Sequence, residues 1–205
     1  MPCKHIIGCG DALARALAAW RVAAPELDLV GVEIDPAAGQ ADIAAVLADV
    51  DGTSAFVAID ARYLNGLRLD VMASLRLRGI AMPALVEPGA IVAAGVRVQD
   101  NCWIGAGAIV QHGSRIGFNT VIGAGAIVGS GATVGHSCWI DDGVVIGRGA
   151  QIGAQVMLGL GVIVGHGRHV GKLCIIDKPG RIDSDVTAKT FIHASHAQPI
   201  VIVGG

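Results

Sequence analysis

The sequence predicts a small α/β domain with a parallel sheet, followed by a three-sided parallel β-helix of hexapeptide repeats. Strand-like and helix-like segments alternate up to about residue 84, and from Val86 onward an aliphatic residue returns at every sixth position. The turn residue that follows this aliphatic residue changes in character in every third hexapeptide. An apolar fraction of 53% with only 3% aromatic residues indicates a core of small aliphatic side chains, which suits a repeat.

The N-terminal part has the β-α-β order of a Rossmann-like sheet with helices on its faces. We predict strands in "KHIIGCG", "LDLVGVEID" and "SAFVAID", and helices in "DALARALAAWRVAA", "DIAAVLADV" and "LNGLRLDVMASLRLRG". Ligands of such sheets bind at the carboxyl ends of the strands. The candidate ligand-binding residues at these ends are Gly8, Gly10, Asp11, Asp35 and Asp60. The third glycine of a dinucleotide fingerprint is missing, so turn glycines and strand-end aspartates without a ligand explain the same pattern.

The hexapeptide repeat runs without a slip from Val86 to Ile182. Four residues after each aliphatic position stands a small or β-branched residue, with breaks only at Arg168 and Gly180. Two inward positions in every six residues are typical of a parallel β-helix, in which each hexapeptide is a short strand and a tight turn. Two of every three turns carry Gly, and the third carries Asn101, Asn119, Ser137, Gln155 or Leu173. The full repeat is therefore eighteen residues, one coil of a triangular prism.

The outward residue of each strand assigns a character to each wall of the prism. We name the walls after these residues: the tryptophan wall carries Trp103, Val121, Trp139, Met157 and Ile175; the isoleucine wall carries Ile91, Ile109, Ile127, Val145 and Ile163; the polar wall carries Arg97, Arg115, Thr133, Gln151 and His169. Long exposed apolar stripes need a partner, and two apolar walls that share an edge suit a threefold assembly. We therefore predict a homotrimer, with Trp103 and Trp139 in its interface.

Charge and cysteine content exclude several classes of protein. The formal net charge of −2 gives no basic field for nucleic acid, and no apolar run is long enough for a membrane span. The charged N-terminus does not resemble a signal peptide, so a cytoplasmic location is expected. The five cysteines include no CxxC pair. Three of them recur at one inward position and are expected to be core residues: Cys102, Cys138 and Cys174.

His136 is the candidate catalytic residue. It occupies a turn between the polar wall and the tryptophan wall, and the next coil places the backbone of Gly153 and Ala154 directly above it. In a trimer the facing edge of the neighbouring copy would carry His112, Ser130, Arg148 and His166. A base beside free N–H donors at a subunit cleft is the arrangement that acyl transfer requires.

The repeats, together with "HSCWIDDGVVIGRGAQIG" and "IIGCGDALARAL…LVGVEID", resemble the hexapeptide-repeat sugar acetyltransferases of the sialic acid O-acetyltransferase and UDP-4-amino-sugar N-acetyltransferase type. The resemblance spans residues 4 to about 187. It implies a left-handed β-helix, a homotrimer, acetyl-CoA bound between adjacent prisms and a nucleotide sugar held by the N-terminal domain. It also implies that His136 is the general base and that the Ala154 N–H faces the acetyl carbonyl.

The resemblance assigns an order of domains and a set of ligand residues. The expected domains are 1–84 for the nucleotide sugar, 85–187 for acyl transfer and a tail over 188–205. The residues expected to bind acyl-CoA are Gly153, Ala154, Arg148, Met157 and Lys172. The chain departs from the family pattern at Ser137, where an acidic residue is common, and at Val145, where a second histidine is common.

Two other functions remain open. A metalloenzyme of the γ-carbonic-anhydrase kind uses the same prism and binds zinc with three histidines, but only His112 and His136 could approach each other across the cleft. The departures at Ser137 and Val145 also fit a non-catalytic trimeric scaffold or sugar-binding relative. We expect no metal, and a sugar acetyltransferase that uses acetyl-CoA as co-substrate.

Overall fold

A computed structural model describes residues 3–50 and 54–202 of the 205-residue chain. It confirms the predicted fold class, because a small parallel α/β sheet precedes a left-handed parallel β-helix. No helix within the described ranges combines the length and the apolarity needed to cross a bilayer.

The N-terminal sheet has three parallel strands, and the first strand in the chain lies between the other two. The strands are β1 (Cys3–Gly8), β2 (Asp28–Glu33) and β3 (Ala55–Ala58). The helices are α1 (Gly10–Ala23), α2 (Gln40–Ala48) and α3 (Gly66–Leu77), and a 3-10 turn spans Arg62–Asn65. The central strand β1 and the edge strand β3 are almost wholly buried, which explains why β3 is continuously apolar rather than alternating, although β1 also buries Lys4 and His5.

The β-helix has three parallel sheets, one for each predicted wall. The tryptophan wall is formed by Leu85–Val86, Trp103–Ile104, Val121–Ile122, Trp139–Ile140, Met157–Leu158, Ile175–Asp177 and Thr190–His193. The isoleucine wall is formed by Ile91–Val92, Ile109–Val110, Ile127–Val128, Val145–Ile146, Val162–Val164 and Gly180–Ile182. The polar wall is formed by Arg97–Val98, Arg115–Ile116, Thr133–Val134, Gln151–Ile152 and His169–Val170. A last strand, Ile200–Val201, pairs antiparallel with Thr190–His193.

The turns confirm the prediction of unequal corners. The turn glycines from Gly89 to Gly167 all have positive φ, between 65° and 84°. At the third corner the left-handed conformation is adopted by side-chain-bearing residues with φ between 53° and 60°: Asn101, Asn119, Ser137, Gln155, Leu173 and Lys189. Non-glycine residues at this φ are uncommon, and at Asn101, Asn119 and Ser137 the side chains form buried hydrogen bonds that glycine could not supply.

The interior of the β-helix contains the predicted aliphatic core and the three cysteines. The thiols of Cys102, Cys138 and Cys174 donate to carbonyl oxygens and form no disulfide. Burial raises the pKa of Cys102 to about 11 and that of Cys138 to about 12. These thiols are therefore unreactive core residues, as predicted.

The N-terminal domain packs on the tryptophan wall, which corrects the prediction for Trp103. This side chain is 5% exposed and lies in one apolar cluster with Phe56 and Trp20 of the same chain. The ring centroids of Phe56 and Trp103 are 5.9 Å apart in an edge-to-face arrangement. Trp103 is thus an interdomain residue within one chain rather than a trimer contact. On the isoleucine wall, by contrast, Ile91 is 60% exposed, and the other outward residues are half-buried: Ile109, Ile127, Val145 and Ile163.

Candidate active site

The turn that carries His136 is held rigidly by the coil above it. A Cβ atom on Gly135 would lie 2.6 Å from the carbonyl carbon of Gly153, so only glycine allows the two turns to stack this closely. The backbone N–H of Gln155 donates to the His136 carbonyl over 2.9 Å. The imidazole is half-buried at this corner. The local sequence therefore fixes the height of His136 relative to Gly153, Ala154 and Gln155.

The aromatic ring of Phe118 stacks face to face on the imidazole of His136. The two ring centroids are 4.7 Å apart and the planes differ by 2°. Phe118 stands eighteen residues before His136, at the same turn position one coil lower. One face of the imidazole is thereby covered, while Nδ1 lies 3.5 Å from the Ser137 hydroxyl oxygen. Nε2, on the other edge of the ring, is the nitrogen left for a substrate.

Ala154 supplies a hydrogen-bond donor above His136. At some other turns a side chain accepts from the N–H at this position: Gln99 accepts from Phe118 over 2.9 Å, and His166 accepts from Arg148 over 3.0 Å. The N–H of Ala154 has no partner within residues 3–50 and 54–202. Adjacent coils are about 4.8 Å apart, so this unpaired donor lies close to the imidazole. A base and an oxyanion donor thus meet at one corner.

The strand-end residues of the N-terminal sheet line a single cavity of about 630 Å³. Of the five predicted there, Gly10, Asp11, Asp35 and Asp60 line it. Gly8 does not, because it is packed against β3: a Cβ atom on Gly8 would lie 2.1 Å from the Ala58 carbonyl oxygen. Gly8 therefore permits close strand packing.

Sequence reasoning missed other residues of this cavity. Arg15, Glu33 and Trp139 also line it. Trp139, whose place in a trimer interface stays a prediction, stands three residues after His136 and is half-buried beside this cavity. The cavity and the corner that carries His136 are therefore neighbours along the tryptophan wall.

The predicted acyl-CoA residues fall into two groups. Gly153 and Lys172 line a groove of about 560 Å³ along the polar wall, and Ala154 lies beside it. Met157 is half-buried on the tryptophan wall, above Trp139. Arg148 is exposed at the corner between the isoleucine and polar walls, away from His136 in the same chain. One copy of the chain therefore brings Gly153, Ala154 and Lys172 toward His136 but leaves Arg148 at another edge.

The described residues contain no cluster of three or more His, Cys, Asp or Glu side chains arranged to hold a metal ion. His112 and His166 both contact backbone groups of neighbouring turns. The Nδ1 atom of His112 lies 3.0 Å from the Ala94 carbonyl oxygen, and that of His166 accepts from the Arg148 N–H.

Two residues behind the site, Arg68 and Asn65, could not be found from sequence patterns. Arg68 is fully buried and donates to three backbone carbonyls, those of Val57, Asn101 and Asn119. Asn65 donates to the Ser137 carbonyl over 2.9 Å. Both lie at the start of α3 and join the N-terminal domain to the corner that carries His136. By contrast, Phe118 could have been found from its spacing of one coil to His136.

Comparison with known proteins identifies both the repeat and the fold. The family model described as "Bacterial transferase hexapeptide (six repeats)" matches residues 95–130 and 119–154. Perosamine N-acetyltransferase PerB from Caulobacter crescentus, solved with CoA and GDP-perosamine, has a TM-score of 0.84 at 23% identity, over 98% of this chain and 98% of that chain. The acetyltransferase domain of PglB from Neisseria gonorrhoeae has a TM-score of 0.82 at 19% identity, over 98% of this chain and 100% of that one.

A further structure of the PglB domain, in complex with acetyl coenzyme A, has a TM-score of 0.60 at 20% identity, over 97% of this chain and 98% of that chain. No curated protein matches the sequence at a significant level. At these identities the solved structures establish a common fold. By repeat and by fold, the chain resembles the hexapeptide-repeat sugar acetyltransferases.

Proposed function

We propose that this protein transfers an acetyl group from acetyl-CoA to an amine, or a hydroxyl, of a nucleotide-activated sugar. The observation that carries the proposal is the corner at which half-buried His136 lies beneath the unpaired N–H of Ala154. Solved structures of the same fold support it, since PerB was solved with CoA and GDP-perosamine and the PglB domain with acetyl coenzyme A.

The proposed reaction is a direct transfer without an acyl-enzyme. The sugar amine attacks the thioester carbonyl carbon while Nε2 of His136 accepts the proton that the amine loses. The carbonyl oxygen becomes an oxyanion, and the Ala154 N–H donates to it. The oxyanion then re-forms the C=O bond as the C–S bond breaks, the C–S electron pair leaves with sulfur, and the thiolate takes the proton from the His136 imidazolium, which restores the base.

The acceptor is proposed to bind in the cavity at the carboxyl ends of the N-terminal strands. The first turn of α1, which begins at Gly10, presents free N–H groups suited to a phosphate. Asp11, Asp35 and Asp60 can accept hydrogen bonds from sugar or ribose hydroxyls. Trp139 offers a flat apolar face for a base or a sugar ring.

The acyl donor is proposed to lie along the groove lined by Gly153 and Lys172, with a second copy of the chain opposite. The isoleucine wall supports a homotrimer, because a stripe of partly exposed apolar side chains favours burial in an assembly. In such a trimer Arg148 of one copy would face the His136 corner of the next.

The test is thiol release from acetyl-CoA, measured against a panel of nucleotide-linked amino sugars. We expect His136→Ala to lower kcat by about 10² to 10⁴-fold, the usual contribution of a general base. His196→Ala, which alters an exposed histidine near the C-terminus, is the matched control and should retain activity. Equal rates for the two variants would exclude His136 as the base.

A separate substitution tests whether the backbone N–H of Ala154 stabilises the oxyanion. Proline lacks the N–H but suits this turn position, where Pro88 already stands in the first coil. Ala154→Pro should lower kcat by about 10² to 10³-fold, whereas Ala94→Pro, the same change at another edge, should not. A well-folded wild-type protein that is inactive with every sugar in the panel would instead favour the scaffold or sugar-binding reading.

A further inference from the structure

A line of buried hydrogen bonds runs from the N-terminal sheet to the turn of His136. The Val57 N–H of β3 donates to Oδ1 of Asn101 over 2.8 Å. Asn101 Nδ2 donates to Oδ1 of Asn119 over 2.8 Å, and Asn119 Nδ2 donates to the Ser137 hydroxyl over 3.1 Å. Asn101, Asn119 and Ser137 are 0% exposed. We call these three residues the polar relay.

The direction of the polar relay is set at its first bond. A backbone N–H can only donate, so the atom of Asn101 that lies 2.8 Å from the Val57 N must be its oxygen, while the amide nitrogen makes a longer contact of 3.4 Å with the Val57 carbonyl. The Asn101 amide nitrogen therefore faces Asn119, and the same reasoning turns the Asn119 nitrogen toward Ser137. Ser137 must accept from Asn119.

The N-terminal domain keeps the polar relay in place. The guanidinium of Arg68 donates to the carbonyls of Asn101 and Asn119 over 2.9 and 2.8 Å. Asn65 donates to the carbonyl of Ser137. The backbone of each relay residue is thus anchored from the same side, and Ser137 is held beside the imidazole.

Ser137 is left with one lone pair and one hydrogen, and its oxygen lies 3.5 Å from Nδ1 of His136. If Nδ1 carries the ring proton, it donates to the serine and Nε2 keeps the lone pair that a general base needs. If Ser137 donates instead, Nδ1 is the acceptor and Nε2 carries the proton. Contacts of this length often shorten when substrate binds.

We infer that Ser137 is the positioning residue of His136 and that it leaves the imidazole in both tautomers, of which only the Nδ1–H form is productive. A hydroxyl can donate or accept, so it does not select one tautomer. A side chain that can only accept would select the productive form, and one that must donate would select the other. The kinetic consequence rests on the proposed function, whereas the tautomer itself can be measured without activity.

Two substitutions of Ser137, by Asp and by Asn, have the same shape as each other but opposite hydrogen-bonding roles toward Nδ1 of His136. They therefore separate a selective effect on the tautomer from a merely structural one. In Ser137→Asp, a carboxylate accepts from both Asn119 and Nδ1 of His136. In Ser137→Asn, the oxygen must face Asn119, so the amide nitrogen faces Nδ1 and donates to it. Both residues tolerate the left-handed backbone at this position, where φ is 53°. Asn already occupies the equivalent positions 101 and 119.

The readouts are thiol release with the active acceptor and ¹⁵N NMR shifts of the His136 ring, in variants shown to fold by thermal melting. We expect Ser137→Asp to raise kcat/KM severalfold and Ser137→Asn to lower it by about 10²-fold or more; in serine hydrolases the wrong tautomer costs about 10⁴-fold. We expect NMR to show the Nδ1–H form with Asp, the Nε2–H form with Asn, and both in the wild type.

A merely structural role for Ser137 predicts that Asp and Asn behave alike. Equal kcat/KM values in two folded variants, or the same ring tautomer in both, would overturn the inference. If His136→Ala kept full activity while the tautomers followed this pattern, the positioning role would stand and the proposed catalytic role would fall.

Discussion

The fully buried Arg68 should be the strongest link between the two parts of the chain, and Arg68→Met tests this. Its guanidinium donates to the carbonyls of Val57, Asn101 and Asn119 over 3.0, 2.9 and 2.8 Å. Methionine keeps much of the volume and removes all three donors. The carbonyls would then be buried without these partners.

The expected magnitude follows from two opposing terms. A hydrogen bond to a charged group contributes about 1.5 to 3 kcal/mol, so three such bonds outweigh most single contacts. Against this, burying the charge is costly, since desolvation lowers the pKa of Arg68 to about 10. Each buried carbonyl left without its donor costs about 1 to 3 kcal/mol, and removing the guanidinium relieves its desolvation, so we expect a net loss of about 2 to 5 kcal/mol in free energy of unfolding.

The assay is urea unfolding at fixed protein concentration, followed by the fluorescence of the tryptophans at the domain interface. Arg76→Met is the matched control. Arg76 lies on the same helix and pairs with Asp100 over 2.6 Å, but both side chains are more than half exposed, so its loss should cost at most about 1 kcal/mol. Two variants that lose the same free energy of unfolding would refute the reasoning.

Two further predictions concern Lys4 and Phe118. Burial lowers the pKa of Lys4 to about 8 from its ordinary value of 10.5. Between these values Lys4 binds fewer protons in the folded state than in the unfolded state, so its contribution to stability should rise with pH through that window, whereas the raised pKa values of Cys102 and Cys138 make their contribution fall in both proteins. The free energy of unfolding of the wild type relative to Lys4→Met, measured by urea unfolding at several pH values, should therefore rise from about pH 8 to 10.5. Phe118→Leu removes the ring stacked on His136 and should lower kcat about tenfold with little change in the melting temperature. An unchanged kcat would show that the stacking does not orient the base.

The β-helix could be predicted in detail because its repeat ties sequence position directly to spatial position. One coil is one repeat, so residues eighteen apart lie above one another, as Trp103 and Val121 do in the paired strands. This register predicted the character of the three walls, the position of His136 at a corner and the interior position of Cys102, Cys138 and Cys174. It also contained Phe118, whose role could have been inferred from the same spacing.

The prediction for Trp103 failed for a physical reason. An apolar wall must be covered, but periodicity does not say whether the cover is a second copy or another part of the same chain. The structure shows that α1 and the N-terminal sheet cover it through Trp20 and Phe56. The homotrimer remains a prediction, and the partly exposed isoleucine wall is the surface on which it rests.

By itself the sequence determined the fold class, the eighteen-residue coil and the corner on which His136 stands, since all three follow from local periodicity and turn chemistry. Only the tertiary structure decided how the N-terminal domain docks, that Arg68 is buried, and that Asn101, Asn119 and Ser137 form a directed line of hydrogen bonds. Such contacts join residues far apart in the chain, and their hydrogen-bond directions depend on atoms that no spacing in the sequence specifies.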